Sequence, residues 1–386
     1  MRPQRLGVAV VMALAAATAP AATLKVTLLQ PADDPRLERS RLERAYLGHP
    51  GGPAGDGLKL AVEDAQFELD AAEVRISVDS AEVGSREAAR AAAAAAEKAG
   101  AAVLVVDLPG DWTLAVADAV KIPVLNVGDA ADRLRGSDCR PRLYHLLPSE
   151  RMRSDALAQT LVARRWAQVL MLVGPTPEDQ VRAATAQASM KRYGLKLVAQ
   201  RPFKLSADPR ERDFANPLLL TGNAGYDAVW VVDGAGEFAR SLPYRTVLPR
   251  PVVGDAGLVA LAWHAQFERY GAPQVSRRFA KAYKRPMTGP DWAAWMAGKA
   301  LIGAAVAAPK GPAPAWAKAL GGATLDGSKG TPMSFRAWDG QLRQPLLLSD
   351  GQGVVAQAPI EGLLHPTNVL DTLGADAPEK LCKVAR

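Results

Sequence analysis

Residue types that catalysis and metal binding require are scarce in this sequence. It has two cysteines and four histidines in 386 residues, and the histidines stand far apart. The patterns H-E-x-x-H and G-x-S-x-G are absent, and the acidic residues lack the regular spacing of a calcium loop. We therefore expect no enzyme, no metal and no cofactor, although a triad assembled in space would leave no mark on sequence spacing.

Long apolar runs are also missing, apart from one near the beginning. Residues 6–17 are apolar, follow Arg2 and Arg5, and precede the small residues of 19–21. This layout is typical of a secretory signal peptide over residues 1–21, so we expect a periplasmic protein. The formal net charge then falls from +7 to +5. No basic stripe with interleaved aromatic residues is present, so we expect no nucleic-acid partner.

The two cysteines, Cys139 and Cys382, would both lie in an oxidising compartment. An even pair there favours a disulfide, which would tie the C-terminal end back to the middle of the chain. Two unpaired, buried thiols are the alternative.

Strand-like runs alternate with helical patterns, which predicts an α/β fold with parallel sheets. The first predicted strands are 24–29, 73–79, 101–106 and 123–127. A second set follows at 168–174, 196–201, 226–233 and 250–255, after a helix that Ser149 would cap. Predicted helices at 259–270, 273–284 and 290–307 come next, then a loop at 320–330 and strands at 333–338, 344–350 and 353–359. The length exceeds the usual size of one core, so we expect two lobes with several crossings between them.

The loops after these strands are the expected ligand site. In open parallel sheets, ligands bind beyond the carboxyl ends of the strands. The loops there combine glycine or proline with a carboxylate, which lets a ligand approach backbone amides and supplies an acceptor. The same composition is ordinary in β–α turns, so each residue alone is a weak signal. The candidate ligand-binding residues are Tyr46, Pro109, Gly110, Asp111, Trp112, Gly128, Asp129, Asp233 and Asp255.

The glycine-rich segment GGPAGDG at 51–57 is not a nucleotide-binding loop. It lacks both the G-x-G-x-x-G spacing and the Lys-Ser/Thr ending of a P-loop. We interpret Asp56 as the cap of the helix that follows, whose apolar face carries Leu58, Ala61 and Leu69. The glycines are expected to form a flexible wall near the mouth of the ligand site.

Several segments resemble the type I periplasmic substrate-binding proteins of ABC transporters, of the Leu/Ile/Val-binding kind. They are DGLKLAVEDAQ (56–66) with the Gly-Pro loop before it, LYHLLPSERMRSDALAQTLVARRW (143–166) and YDAVWVVDGAGEFARSL (226–242). The resemblance implies two Rossmann-like lobes with parallel sheets, joined by a multi-strand hinge. They would close around a small-molecule ligand and dock on ABC permease subunits in the inner membrane.

Other segments resemble a narrower branch, found beside PQQ-dependent alcohol dehydrogenase systems. They are RLERAYLGHPGGPAGDG (41–57), FERYGAPQVSRRF (267–279), RPMTGPDWAAWMAGKA (285–300), SFRAWDGQLRQPLLL (334–348) and DTLGADAPEKLC (371–382). This resemblance implies a role in periplasmic alcohol oxidation, with a PQQ-dependent dehydrogenase as a further partner. The expected division of the chain is a first lobe of 22–143 plus about 258–332, a second lobe of 144–257 plus about 333–360, and a tail, 361–386, that returns to the first lobe.

One loop departs from the amino-acid binders of that family. They carry a Ser/Thr-rich loop after the third strand, where this chain has DLPGDW (107–112). Asp111 would repel a carboxylate, so a cation, a polyol or an aromatic alcohol-derived compound is expected instead of an α-amino acid. Two other functions stay open here: an accessory protein of the dehydrogenase system with a filled cleft, and a periplasmic hydrolase with a Ser or His in that cleft.

Overall fold

Short runs of branched residues form the strands of a first parallel sheet. The structure, a computed structural model, describes residues 22–34, 36–37, 51–309 and 311–384. The strands of this sheet are β1 (Ala22–Pro31), β2 (Val74–Val83), β3 (Val103–Val106), β4 (Val124–Asn126) and β5 (Leu143–His145). Their order is β2-β1-β3-β4-β5, and every neighbouring pair is parallel.

A second parallel sheet follows along the chain. Its strands are β6 (Gln168–Val173), β7 (Lys196–Pro202), β8 (Ala228–Val232) and β9 (Val252–Gly254), in the order β7-β6-β8-β9. Strand β8 is buried over its whole length, as expected for a strand that is covered on both faces. The prediction of two α/β units with parallel sheets is therefore confirmed.

Helices connect these strands, as the sequence pattern predicts. They are α1 (Gly55–Asp64), α2 (Gln66–Ala71), α3 (Arg86–Lys98), α4 (Gly110–Ala119), α5 (Glu150–Ala163), α6 (Pro177–Arg192) and α7 (Pro217–Thr221). Ser149 caps α5 as predicted, because its side chain accepts a hydrogen bond from the amide of Met152. Asp56 is not the cap of α1, contrary to the prediction; Ala54 holds that position, and Asp56 pairs with Arg285. Within the described ranges, no helix is both long enough and apolar enough to cross a membrane.

The last third of the chain adds elements to both halves. They are β10 (Val259–Leu261), α8 (Ala272–Tyr283), α9 (Gly289–Ala307), α10 (Ala313–Gly321), β11 (Thr324–Asp326), β12 (Pro332–Ser334), β13 (Leu346–Ser349) and β14 (Val354–Ala358). The helix predicted at 259–270 is wrong, because β10 pairs antiparallel with β13 and forms an edge of the sheet β10-β13-β14. The loop predicted at 320–330 also contains the end of α10 and the strand β11, which pairs with β12.

Membership of the two largest buried clusters changes in three regions of the chain, which locates the connections between the two lobes. Leu147 belongs to the core of the first sheet and Met152 to that of the second. Ala260 lies in the second core, whereas Trp263 lies in the first. The third region follows Leu342 of the first core: along β13, Leu346 and Leu348 lie in the second core and Leu347 in the first. Three segments therefore join the lobes, as the predicted hinge requires.

Gly57 of the segment 51–57 and Gly298 of α9 serve helix packing. A Cβ added to Gly57 would collide with the main-chain carbonyl of Asp291 on α9, and one added to Gly298 would lie 2.5 Å from the Cβ of Ala61. Glycine at these two positions lets α1 and α9 approach each other closely. The expected flexible wall is therefore, over residues 55–57, a tightly packed start of a helix.

A disulfide joins Cys139 and Cys382, as predicted. Cys139 precedes β5 of the first sheet, and Cys382 lies near the end of the described chain. Before it reaches Cys382, the tail is bound to the second lobe: the amide of Gly374 donates to Asp155 on α5. Glu379 also pairs with Arg151 on α5. The tail thus lies against the second lobe and is covalently bound to the first.

Candidate functional site

The loops at the carboxyl edge of the first sheet are tied to each other by their own polar groups. The carboxylate of Asp129 accepts hydrogen bonds from the amides of Gly110 and Ala131, both at 2.7 Å. The side-chain oxygen of Asn126, at the end of β4, accepts from the amides of Gly128 and Asp129. Each oxygen of Asp129 therefore already has a donor within the protein.

The charge of Asp111 is also compensated inside the first lobe. Its side chain is 70% exposed and forms an ion pair with Arg133. Pro109 is exposed as well. Trp112 is half-buried and packs against the buried cluster between the first sheet and helices α3 and α4. Arg133 also pairs with Asp138 at 2.6 Å, so it offsets the charge of Asp111 only in part. Because Asp111 is largely exposed, water screens much of its remaining repulsion of a carboxylate ligand.

A buried carboxylate that the sequence reasoning missed lies at the end of β3. Asp107 is only 4% exposed, and its carboxylate lies 2.9 Å from the guanidinium of Arg36, which also pairs with Asp34. Burial raises the pKa of Asp107, and Arg36 offsets only part of that rise. The available signal was a lone Asp directly after four branched strand residues, which many β–α turns share.

At the carboxyl edge of the second sheet, two predicted residues are bonded to each other. Asp233 is buried, and its carboxylate accepts a hydrogen bond from the amide of Ala239. The amide of Asp233 donates to the carboxylate of Asp255 at 2.6 Å. The other oxygen of Asp255 pairs with Arg182 on α6 at 2.5 Å. Asp233 thus shapes the loop after β8 and holds Asp255 in position.

A cavity of about 220 Å³ lies beside Asp255; we call it the polar cavity. Its lining residues are Glu150, Arg153, Ser154, Leu157, Arg182, Ala186, Trp230, Val231, Val232, Gly254, Asp255, Val259, Ala260 and Leu261. Arg182 bridges Glu150 and Asp255, and Glu150 also pairs with Arg153 at 3.3 Å. Burial acts to raise the pKa of Glu150, but Arg153 and Arg182 outweigh it and hold that pKa below its ordinary value. Burial raises the pKa of Asp255, which Arg182 offsets in part.

A second cavity, of about 480 Å³, adjoins the first; we call it the apolar cavity. Its lining residues are Val259, Leu261, Trp263, His264, Ala265, Gln266, Pro286, Met287, Thr288, Gly289, Ser349 and Gly351. Residues 286–288 precede α9 of the first lobe and Gly289 begins it, whereas Ser349 ends β13, whose Leu346 and Leu348 pack in the second core. Val259 and Leu261 line both cavities. The two cavities therefore meet at the second crossing between the lobes, and together they form the candidate site.

The predicted site residues divide into three groups. Asp255 lines the polar cavity, and Asp233 is bonded to it. The first-lobe candidates line neither cavity; they are Pro109, Gly110, Asp111, Trp112, Gly128 and Asp129. Tyr46 lies outside the described residues. In the described part of the chain, no group of three or more His, Cys, Asp or Glu side chains is placed to hold a metal ion.

Sequence reasoning missed the residues that dominate the site. Glu150 and Arg153 lie in the first turn of α5, and Arg182 lies on α6. The segment SERMRSD (149–155) shows both signs of charge at a helix start, which is an ordinary pattern for a solvated helix. Only the position of this turn after the first crossing indicated that it faces the cleft.

A comparison with known protein families matches residues 47–243, just over half of the chain, to the family described as periplasmic binding protein. The chain belongs to the periplasmic binding protein family. A search of curated proteins found no match.

Solved structures of other periplasmic binding proteins share the fold. An ABC-type branched-chain amino acid transporter protein from Rhodopseudomonas palustris CGA009 has a TM-score of 0.69 and 15% identity, covering 92% of this chain and 98% of its own. A solute-binding protein from R. palustris in complex with benzoate has a TM-score of 0.65 and 16% identity, covering 87% and 95%. The leucine-, isoleucine-, valine-, threonine- and alanine-binding protein from Brucella ovis has a TM-score of 0.67 and 15% identity, covering 86% of this chain and 90% of its own. At these identities the likeness shows the fold alone.

Proposed function

We propose that this protein is the solute-binding component of an ABC transporter and that it closes its two lobes around a small molecule. The observation that carries the proposal is the pair of cavities that meet at Val259 and Leu261. The polar cavity belongs to the second lobe, whereas the apolar cavity is lined by residues of both. A molecule held there contacts both sides of the hinge, so binding is coupled to closure.

Contacts between the lobes support a hinge movement. Asp132, in the first lobe, accepts hydrogen bonds from the amide of Arg151 on α5 and from the hydroxyl of Thr185 on α6. We expect the contact with Thr185 to break when the lobes open, because α6 belongs to the second lobe. Closure excludes water from the cleft and thereby strengthens the polar contacts inside it.

The cellular location, the lobe boundaries and the membrane partner are proposed from the family and the sequence. A periplasmic location agrees with the family, and we propose cleavage of residues 1–21 on the residue pattern, since they lie outside the described residues. The expected boundaries put 22–143 and about 258–332 in the first lobe and 144–257 and about 333–360 in the second. Because Leu147 and Leu342 belong to the first core and Ala260 to the second, we propose crossings a few residues later, near 147–152, 260–263 and 342–346. ABC permease subunits are the proposed membrane partner. The first-lobe candidates stay a proposal for the opposite wall, in which Asp129 shapes its loop through the amides of Gly110 and Ala131 and does not itself contact the ligand.

A finer proposal rests on sequence resemblance alone. The segments 267–279, 285–300 and 334–348 resemble the branch beside PQQ-dependent alcohol dehydrogenase systems, so we assign the transport to periplasmic alcohol oxidation. Deleting the gene in the source organism should then reduce alcohol-dependent oxygen uptake but leave glucose-dependent uptake unchanged. Equal uptake on both carbon sources would contradict this assignment.

Native mass spectrometry of protein purified from periplasm tests the main proposal. We expect a co-purified small molecule, released by partial unfolding, and a smaller radius of gyration in X-ray scattering after it is added back. Leu261 lines both cavities, so the larger side chain of Leu261→Trp would occupy part of their volume and should abolish capture of the small molecule. Leu218→Trp, at an exposed position on α7, should not. A folded protein that captures nothing and never contracts would rule the proposal out.

A further inference from the structure

The C-terminal tail is fixed on the second lobe by two helices. The amide of Gly374 donates to the carboxylate of Asp155 on α5 at 2.8 Å, and the carbonyl of Gly374 accepts from Arg192 on α6 at 2.9 Å. Asp155 is fully buried, so water does not compete for these hydrogen bonds. Arg336, ahead of the third crossing, donates to the carbonyl of Leu373 at 2.6 Å. The tail is therefore fixed at this point to the second lobe and beside the third crossing.

A second attachment lies nearer the disulfide. Arg151, in the first turn of α5, donates two hydrogen bonds to the carboxylate of Glu379, at 2.6 and 2.9 Å. Such a two-point pair fixes the orientation of both groups as well as their distance. Because the side chains of Arg151 and Glu379 are 22% and 33% exposed, water weakens the pair, and it breaks more easily than the contacts of Gly374.

The third attachment is covalent and lies on the first lobe. Cys382 is bonded to Cys139, which is only 2% exposed. Arg140, the next residue, pairs at 2.5 Å with Asp118 near the end of α4. Cys139 is therefore held within the first lobe, and the tail connects the lobes in addition to the three main-chain crossings.

The segment between the last two attachments is short; we call residues 379–382 the strap. Its three residue steps span at most about 11 Å when fully extended. The strap is not extended in the structure, because Lys380 has a left-handed conformation and its amide donates to the carbonyl of Ala377. It lengthens by straightening and then becomes taut. If the pair of Arg151 and Glu379 breaks, the next fixed point is Gly374, eight residues from Cys382, and that length spans up to about 28 Å.

We propose that the strap restricts how far the lobes open and twist, and that the pair of Arg151 and Glu379 sets its working length. The strap lies beside the first crossing, between Leu147 and Met152. A single segment there permits both bending and twisting, whereas two adjacent segments, each fixed at both ends, permit less of both. A restricted open state also loses less freedom when the lobes close, which favours closure. This inference rests on the proposed function, because it concerns the same hinge movement.

Single-molecule fluorescence energy transfer in the ligand-free protein tests the inference. Azido-phenylalanine in place of Phe67 on α2 and of Val181 on α6, both well exposed, carries the two dyes and leaves the cysteines untouched. Inserting six residues of alternating glycine and serine after Lys380 adds about 20 Å to the reach of the strap but keeps all three attachments. The same insertion after Asn223, in an exposed turn of the second lobe, is the matched control.

The strap insertion should broaden the distribution of dye-to-dye distances by about 1.5-fold or more, because more open conformations become accessible. Cys139→Ala/Cys382→Ala should do the same, since it releases the strap from the first lobe. Glu379→Ala should have a smaller effect in the same direction, because the tail then extends from Gly374. Glu211→Ala, which removes a pair with Lys204 of similar exposure inside the second lobe, should change nothing.

Identical distributions in the original protein, the insertion variant and the cysteine variant would refute the strap. Broadening in the cysteine variant but not after the insertion would refute it too, because loss of the disulfide would then have loosened the first lobe alone. In both cases a molecule captured in native mass spectrometry leaves the proposed function intact. If no variant changes the distribution and no molecule is captured, the proposed function fails as well. Thermal unfolding confirms that each variant is folded, and the intact mass without reductant confirms the disulfide of the insertion variant.

Discussion

The carboxyl edges of the two parallel sheets have loops of similar composition but use their polar groups differently. At the first edge, Asp129 is bonded to backbone amides and Asp111 to Arg133. At the second edge, Asp255 is paired as well, yet it lines a cavity. The difference teaches that a glycine-and-aspartate loop marks the edge of a sheet, whereas a binding site also requires an open volume beside its polar groups.

Replacing Arg182 should have the largest effect on this comparison. Arg182→Met removes the cation shared by Glu150 and Asp255, two carboxylates whose side chains are only about a fifth exposed. Because this leaves two mostly buried charges without their bridge, we expect a loss of about 3 kcal/mol in the free energy of unfolding. Urea titration at pH 7 measures it, with Arg164→Met as the exposed control. A loss below 1 kcal/mol would show that Arg182 does not organise the second edge.

The difference in the free energy of unfolding between Arg182→Met and the original protein should depend on pH. Arg182 helps to hold the pKa of Glu150 below its ordinary value of 4.5, and a lowered pKa stabilises the fold above that value. The pKa of Asp255 is already raised, and without Arg182 it rises further, which costs stability until the carboxyl is protonated. Both effects act in the same direction. The difference in the free energy of unfolding should therefore be largest at pH 7 and shrink as the pH falls towards and below 4.5. Urea titrations at several pH values should show this narrowing; a constant gap would contradict it.

At the first edge, Asp129→Ala should cost stability without affecting ligand binding. Two backbone amides lose their acceptor, and because Asp129 is half-buried we expect a loss of about 2 kcal/mol in the free energy of unfolding. The affinity for the co-purified small molecule should stay within a factor of about two, since Asp129 lines neither cavity. A large loss of affinity at unchanged stability would place the ligand at the first edge and reverse the comparison.

The smallest effect is expected for Asp111→Ala. Its pair with Arg133 is largely exposed, so we expect a change of at most about 0.5 kcal/mol in the free energy of unfolding. Affinity for benzoate should not increase, because Asp111 lines neither cavity and its exposed charge is screened by water. A tenfold or larger increase in the affinity for benzoate would show that Asp111 repels a carboxylate ligand, as the sequence alone predicts.

Local patterns predicted what local chemistry determines. The alternation of strands and helices, the cap at Ser149 and the Cys139–Cys382 pair follow from spacing, turn residues and compartment, and all three are confirmed. Strand β10 was mistaken for a helix because its conformation depends on pairing with residues 347–349, far along the chain. Arg153 and Trp263 carried no signal, because which side chains line a cavity depends on the arrangement of their neighbours in space.

The disulfide has a topological consequence. Residues 139 and 382 are joined, so everything between them forms a closed covalent loop that contains all three crossings. A protease that cuts once inside this loop, in either lobe, leaves a single covalently connected molecule. The fragments separate only after reduction, so a nicked protein in an oxidising compartment keeps both halves of its cleft together.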